Sequence, residues 1–434
     1  MNLKLKNTII LFFLFFLNIV FIISCNKNSD TNNKENKELS GNIILWHYDK
    51  NEANEIIKNY KNINKDSKIT VKIKEINKSK YLDLLKKTLK SNSDDKPDIV
   101  VSDKENLFSI VNLKNCLEDL DNKKYNFNLY SNNMYEYSIE SSKDEKGKQR
   151  AMGIEIDPGA IIYKKDLARK YLGRADEKNV TEFFSEYESI IETGKKLKEK
   201  SNDECKLFTN TNDFLNIYLA NRKEGWINDG KLSIDDELDY FMKLTKRIDE
   251  LNLDSEIKHN SNEWKEAIKD KIHFAFPVSF KKIEDIKKIQ NDDLKFIQRW
   301  GIVKMQNQFF NNGIWYGIFK SSDKKDLAWE FIKYISTDKN YANKYKSKND
   351  KFWNNISYIE TQSKDKTLVS NFNGDNIIKN FSDMIDKKYK NLDTEYDKEI
   401  NKLFIEYSNI YSKDVEDYYS VINDFKEETD NIIK

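Results

Sequence analysis

Two short stretches carry side chains whose types and spacing could do chemistry. In "IISCNK", residues 22–27, a cysteine follows a small serine at the end of an apolar run. A thiol there can accept an acyl chain, and a diacylglyceryl group on Cys25 would leave a lipid on the mature N-terminus. In "GNIILWHYDK", residues 41–50, the apolar run Ile43 to Leu45 ends in Trp46, His47, Tyr48 and Asp49. Rings with polar tips can cover an apolar face and reach polar groups at its rim. That chemistry holds a ligand; the other reading of Trp46 is core packing. His47 is one of three histidines, and nothing pairs with it in sequence. The chain has no GxSxG, HExxH, P-loop or paired-cysteine motif. Carboxylates are too abundant for a glycosidase pair to stand out. The expectation is a protein that is not an enzyme and uses no cofactor and no metal.

The elements that must position these residues follow from periodicity. Residues 43–46 read as a strand, and Ala53, Ile56, Ile57, Tyr60 and Ile63 follow at helical spacing. "KITVKIKEI", residues 68–76, is a second strand. Tyr81, Leu82, Leu85 and Leu89 mark a helix, and Ile99-Val100-Val101 lies in a third strand entered by Pro97. This alternation is the pattern of a parallel α/β sheet. Open sheets of that kind place ligands at the carboxyl ends of their strands. Here those ends are Trp46-His47-Tyr48 and Ser102-Asp103.

A second α/β segment begins after residue 150. Met152 to Ile156 and Ala160 to Tyr163 read as two strands separated by a break at Asp157-Pro158-Gly159. Phe183 to Leu197, Phe241 to Leu251 and Trp264 to Ile268 read as helices, and Asn228-Asp229-Gly230 as a hairpin turn. An EF-hand is excluded there, because Gly225 and Ile227 stand where carboxylates are required. Residues 272–280, "FIQRWGIVKM" and "GIWYGIF" read as strands, and 324–336 as an amphipathic helix. The chain after Asn340 reads as helical. Trp300, Trp329 and Trp264 have core rather than functional readings.

Lys4, Lys6 and the apolar run Ile9 to Ile23 describe a secretory leader over residues 1–24. The run is short for a membrane span, the alternative reading. Residues 26–41 hold one apolar side chain, Leu39, so 25–41 reads as a lipidated, disordered tether. The remaining body, about 390 residues, is long enough for two domains. Lys plus Arg is 74 and Asp plus Glu is 73, a balance that gives no general pull on nucleic acid. Membrane contact would then come through the lipid, on the extracytoplasmic face. Cys116 and Cys205 read as two buried free thiols.

The order and spacing of "IILWHYDKNEANEIIKNYKN", "KPDIVVSD", "AMGIEIDPGAIIYKKDLARKYLG", "EGWINDGKLSID", "IHFAFPVSF" and "NNGIWYGIFKSSDKKDLAWEFIKYIS" resemble the family 1 extracellular solute-binding proteins of ABC importers. Carbohydrate binders of the maltose-binding-protein kind are its best-known members. The resemblance implies a two-lobed, type II periplasmic-binding-protein fold of class α/β, with a ligand cleft between lobes and a helical C-terminal region. It implies a first lobe of residues 42–153 plus 277–318 and a second of 154–276 plus 319–434, crossing near Gly153, Pro277 and Gly317. Carried onto this chain, Trp46, His47, Tyr48, Asp103, Glu105, Asp157, Ser279, Phe280, Trp315 and Tyr316 would line the cleft, with Phe214 and Trp226 as further candidates. Rings would cover the C–H face of a sugar, and carboxylates would take its hydroxyls. The implied partners are a carbohydrate and the permease subunits of an ABC transporter. The family's aromatic after the Pro-Asp strand is replaced by Ser102, and its Gly-rich segment is reduced to Asn311-Asn312-Gly313. These departures support the alternative of a surface interaction or sensor lipoprotein on the same fold.

Overall fold

A computed structural model describes residues 39–91, 95–290, 299–304, 309–345, 351–365, 369–372, 375–385 and 388–434. The expected leader, Cys25 and nearly all of the tether lie outside the described residues. The folded body begins at Ser40 with β1 (Ser40–His47), followed by β2 (Lys68–Glu75) and β3 (Ile99–Asp103). Both pair parallel with β1, Ile43 lying opposite Val71 and Leu45 opposite Ile99. The helices Lys50–Ile63 and Tyr81–Leu89 connect them. Asp49 starts the first of these by accepting hydrogen bonds from the Asn51 and Glu52 amides. Ala53, Ile56, Ile57 and Tyr60 turn inward, as their spacing requires.

The next strand, β4 (Met152–Lys164), is one continuous, fully buried strand. No turn forms at Asp157-Pro158-Gly159. The later strands explain why: β5 (Lys206–Phe208), the hairpin β6 (Ile227–Asn228) and β7 (Lys231–Leu232), β8 (His273–Ser279), β9 (Trp300–Val303), β10 (Phe310–Ile318) and β11 (Phe352–Trp353). From Met152 to Pro158, β4 pairs antiparallel with β10 and, at Glu155 and Ile156, with β11. From Gly159 to Lys164 it pairs with β8 and β9 instead. One strand therefore belongs to two half-sheets, β2-β1-β3-β10-β4 and β4-β8-β5. Pro158 has no N–H to lose from the ladder. The Gly159 amide bonds to the Phe309 carbonyl at 2.8 Å. A Cβ on Gly159 would stand 2.1 Å from the Phe309 ring, so the crossing needs a glycine there.

Two apolar clusters flank this crossing. The first gathers Ile43, Leu45, Val101, Ile318 and Phe331; the second gathers Tyr163, Leu207, Phe241, Phe404 and Phe425. The helix Lys325–Thr337, expected with the second lobe, lays Phe331, Ile332 and Ile335 on the first cluster, with Phe331 edge-on to Tyr60 at 4.9 Å. β9, expected with the first lobe, pairs with Ile161 to Lys164. The helices Asp397–Ser412 and Tyr418–Ile433 pack on the second cluster. Cys116 and Cys205 are buried free thiols, one in each cluster.

Candidate functional site

The end of β3 and the start of β10 face the segment 388–398 across a cavity of about 550 Å³. Asp103 caps the helix Lys104–Asn112, accepting from the Asn106 amide, and so sets Lys104, Glu105 and Phe108 on the cavity wall. The Lys104 amide is pinned by the Asn312 side chain at 3.0 Å. Tyr137, from the short helix Glu136–Ser141, stacks on Phe310 with ring centroids 3.9 Å apart and planes 4° from parallel. Tyr389 stands edge-on to Tyr137 at 5.0 Å. The lining also includes Asn216, Arg222, Asp397 and Asn401. A second cavity of about 540 Å³ shares Asn216, Leu219, Asn311 and Asn401 with the first. Asp157, Asp213, His259, Ser279 and Lys281 add polar groups to it. Pockets of this size accept small-molecule ligands. The walls offer one aromatic surface and many amides and carboxylates.

The charges are mostly paired. Lys104 meets Asp393 in an ion pair and lies 5.4 Å from the Tyr137 ring centre. Burial alone would lower the Lys104 ammonium; Asp393 holds it above its ordinary value. Glu105 bridges Lys78 and Lys398, and these contacts depress its carboxyl. Burial pushes the Asp397 carboxyl up to about 6, although Thr394 donates to it and Arg222 lies 3.8 Å away. Burial also raises Asp157, which accepts from the Lys281 amide at 3.0 Å. Among the described residues no group of histidine, cysteine and carboxylate side chains could hold a metal ion.

A model of the bacterial extracellular solute-binding protein family matches residues 55–360. The chain belongs to this family. Its fold is the family's two-lobed type II architecture, shared with solved structures of low sequence identity. A family 1 extracellular solute-binding protein superposes with a TM-score of 0.75 at 16% identity, over 91% of this chain and 100% of the other. The sugar-binding protein MalE from Xanthomonas citri gives 0.69 at 14%, over 91% and 97%. The galacto-N-biose-/lacto-N-biose I-binding protein of the ABC transporter from Bifidobacterium longum gives 0.68 at 14%, over 91% and 97%. No curated protein matches the chain.

In this solute-binding protein the residues expected at the cleft fall into two groups. Glu105 lines the first cavity, and Asp157 and Ser279 line the second. The others are held elsewhere. Trp46 is 1% exposed, edge-on to Tyr81 at 6.4 Å, with Lys74 over its ring. His47 is fully buried, accepting from the Asp49 amide at Nδ1, and burial lowers its pKa. Tyr48 packs against His47 and Tyr81, and burial raises its hydroxyl pKa. Asp103 is committed to its cap and to Lys78 at 2.5 Å. Trp315 is buried and donates to the Ser138 carbonyl, and Tyr316 is buried near His47. Phe280 packs on Phe352 and Phe381. Phe214 packs at a tilt against Phe208 in the second core, and Trp226 lies there, donating to Asn401 at 2.7 Å.

Beneath the end of β1 lies a buried charge cluster that sequence reading missed. Lys351 pairs with Glu52 and with Glu155 at 3.1 Å. Burial pushes the Glu155 carboxyl up to about 7. His47 Nε2 and the hydroxyls of Tyr48 and Tyr316 nearby have no hydrogen-bond partner among the described residues. Tyr137, Phe310 and Tyr389 were missed as well. Tyr137 and Tyr389 sit in a short helix and in irregular chain, with no periodic pattern to mark them.

Proposed function

We propose that this protein is a lipid-anchored, extracytoplasmic receptor that binds a carbohydrate in the cleft and delivers it to an ABC permease. The observation that carries the reading is the first cavity. Phe310 and Tyr389, half-buried against the buried Tyr137 ring, offer apolar ring surface for a sugar's C–H face. Asn216, Asn401, Arg222 and Asp397 also line it and would supply donors and acceptors for hydroxyl groups. Three structural neighbours, from Xanthomonas citri, Bifidobacterium longum and Listeria monocytogenes, are described as a sugar-binding protein, a lacto-N-biose complex and a cycloalternan complex, which favours a glycan as the solute. The expected lobes, with the chain crossing within β4, would close over it. The leader at residues 1–24 and acylation at Cys25 would place the receptor beside its permease.

Thermal melting of the purified protein against a panel of mono- and oligosaccharides tests this reading. At least one glycan should raise the melting temperature in a concentration-dependent way. A panel of glycans with no effect, alongside a shift from amino acids or peptides, would contradict it.

A further inference from the structure

At the far end of β8 from the cleft, three side chains meet that the receptor function does not use. Ser255 Oγ lies 2.9 Å from His273 Nε2, and His273 Nδ1 lies 2.6 Å from Asp270 Oδ2. We propose that Ser255, His273 and Asp270 form a nucleophile, base and orienting group able to take an acyl group from an activated ester and release it to water. A carboxylate can only accept, so Nδ1 of the neutral imidazole carries the proton. Nε2 is then left to accept from the Ser255 hydroxyl, as a general base must.

The orienting group is firmly held. Asp270 Oδ1 accepts from Lys164 Nζ at 2.7 Å, the Ile272 amide at 2.9 Å and the His273 amide at 3.2 Å. Burial opposes its charge, but His273 and Lys164 hold the Asp270 carboxyl well below the usual range. The imidazole is buried, whereas Ser255 is exposed on the loop after the helix Asp236–Glu250. The next residue, Glu256, has a left-handed backbone at φ 52°. Its N–H makes no hydrogen bond among the described residues. The amide after a serine nucleophile is one that can receive the oxyanion of a tetrahedral intermediate. Six residue steps along the strand, roughly 20 Å, separate His273 from Ser279 at the cleft. None of Ser255, His273 and Asp270 lines either solute cavity.

Ser255 Oγ would attack the ester carbonyl carbon while its proton passes to Nε2. Collapse of the intermediate breaks the ester C–O bond, and the leaving oxygen departs with that proton. Water, deprotonated by Nε2, then attacks acyl-Ser255 and frees a carboxylic acid. An ester and a water become an acid and an alcohol, and no other reactant is needed. The open loop suits a small acyl group such as acetyl.

The test is hydrolysis of p-nitrophenyl acetate by the whole protein, Ser255→Ala and His273→Gln, with peptide mapping of the acetyl group. The proposal expects wild-type release about 100-fold above Ser255→Ala, at the low end of general-base catalysis, and early acetylation at Ser255. Ser255 is exposed, so Ser255→Ala should melt like wild type. His273→Gln tests the base independently and should lose the release too. Equal release by wild type and Ser255→Ala, or acetyl groups on lysines alone, would overturn the proposal.

Discussion

At the scale of single residues, the account separates rings that bind from rings that pack. Tyr389 is half-buried and lines the first cavity. Tyr389→Ala should weaken glycan binding by roughly 2 kcal/mol, about 30-fold in affinity, with a small change in melting temperature. Trp46→Ala should do the reverse. Its ring fills the core between β1 and the helix Tyr81–Leu89, so truncation should cost about 3–5 kcal/mol of stability and leave affinity near wild type. Calorimetric titration and thermal melts on both variants check the pair, and a Trp46→Ala protein that melts normally but binds poorly would reverse the assignment. Asp397 supplies a pH prediction. Its folded pKa, about 6, lies above the unfolded value, so the folded state holds the proton more tightly. Stability from this group is intact below about pH 4 and is lost as pH rises through 6, by up to about 3 kcal/mol. The melting temperature of wild type minus that of Asp397→Asn should therefore fall between pH 4 and pH 7; a constant difference would contradict it. Residue roles were the least legible part of the sequence. Trp46 and Asp103 were correctly seen at strand ends. What a strand end cannot reveal is that Tyr81 and Lys74 enclose the indole, or that Lys78 and a helix cap occupy the carboxylate. Tyr137 and Tyr389 meet only through tertiary folding, and nothing local marks either.

At the scale of elements, local chemistry was readable wherever one element satisfied itself. The apolar triplet Ile99-Val100-Val101, the helix capped by Asp49 and the Asn228-Asp229-Gly230 hairpin all formed as their residues dictate, with Asp229 and Gly230 at positive φ. Reading failed where partners decide. Asp157-Pro158-Gly159 has the residues of a turn, yet pairing with β10 before it and β8 after it draws the segment straight. Trp315 and Tyr316 alternate along β10, which suggests one inward and one outward ring. Both are buried because each face of that strand is covered. Gly159 is where this matters to function. Gly159→Ala would drive a methyl into the Phe309 ring, between the strands on which Phe310 and Ser279 reach the cavities. The substitution should lower stability by about 1–3 kcal/mol and weaken solute binding as well. Melting and titration of this variant test the point; unchanged values in both would mean that the crossing is not tightly packed.

At the scale of the whole molecule, the fold class and the family were legible because many weak signals kept one order along the chain. The lobe boundaries are carried by the resemblance alone: the helix Lys325–Thr337 packs on the first cluster, and β9 pairs with Ile161 to Lys164 while burying Trp300 and Ile302 in the first cluster. The proposed membrane attachment would come from residues 1–25, and Cys25→Ala should then abolish incorporation of a palmitate analogue. Label retained on that variant would exclude lipidation at this thiol. Binding a carbohydrate in the cleft is the central claim. Calorimetric titration of the purified protein with the glycan that gives the largest melting shift tests it most directly, with Tyr389→Ala and the equally folded Ser255→Ala run beside it. The account predicts saturable binding by wild type, unchanged binding by Ser255→Ala, and affinity about 30-fold weaker for Tyr389→Ala. Saturable binding of equal strength in all three would place the sugar outside this cavity and contradict the account.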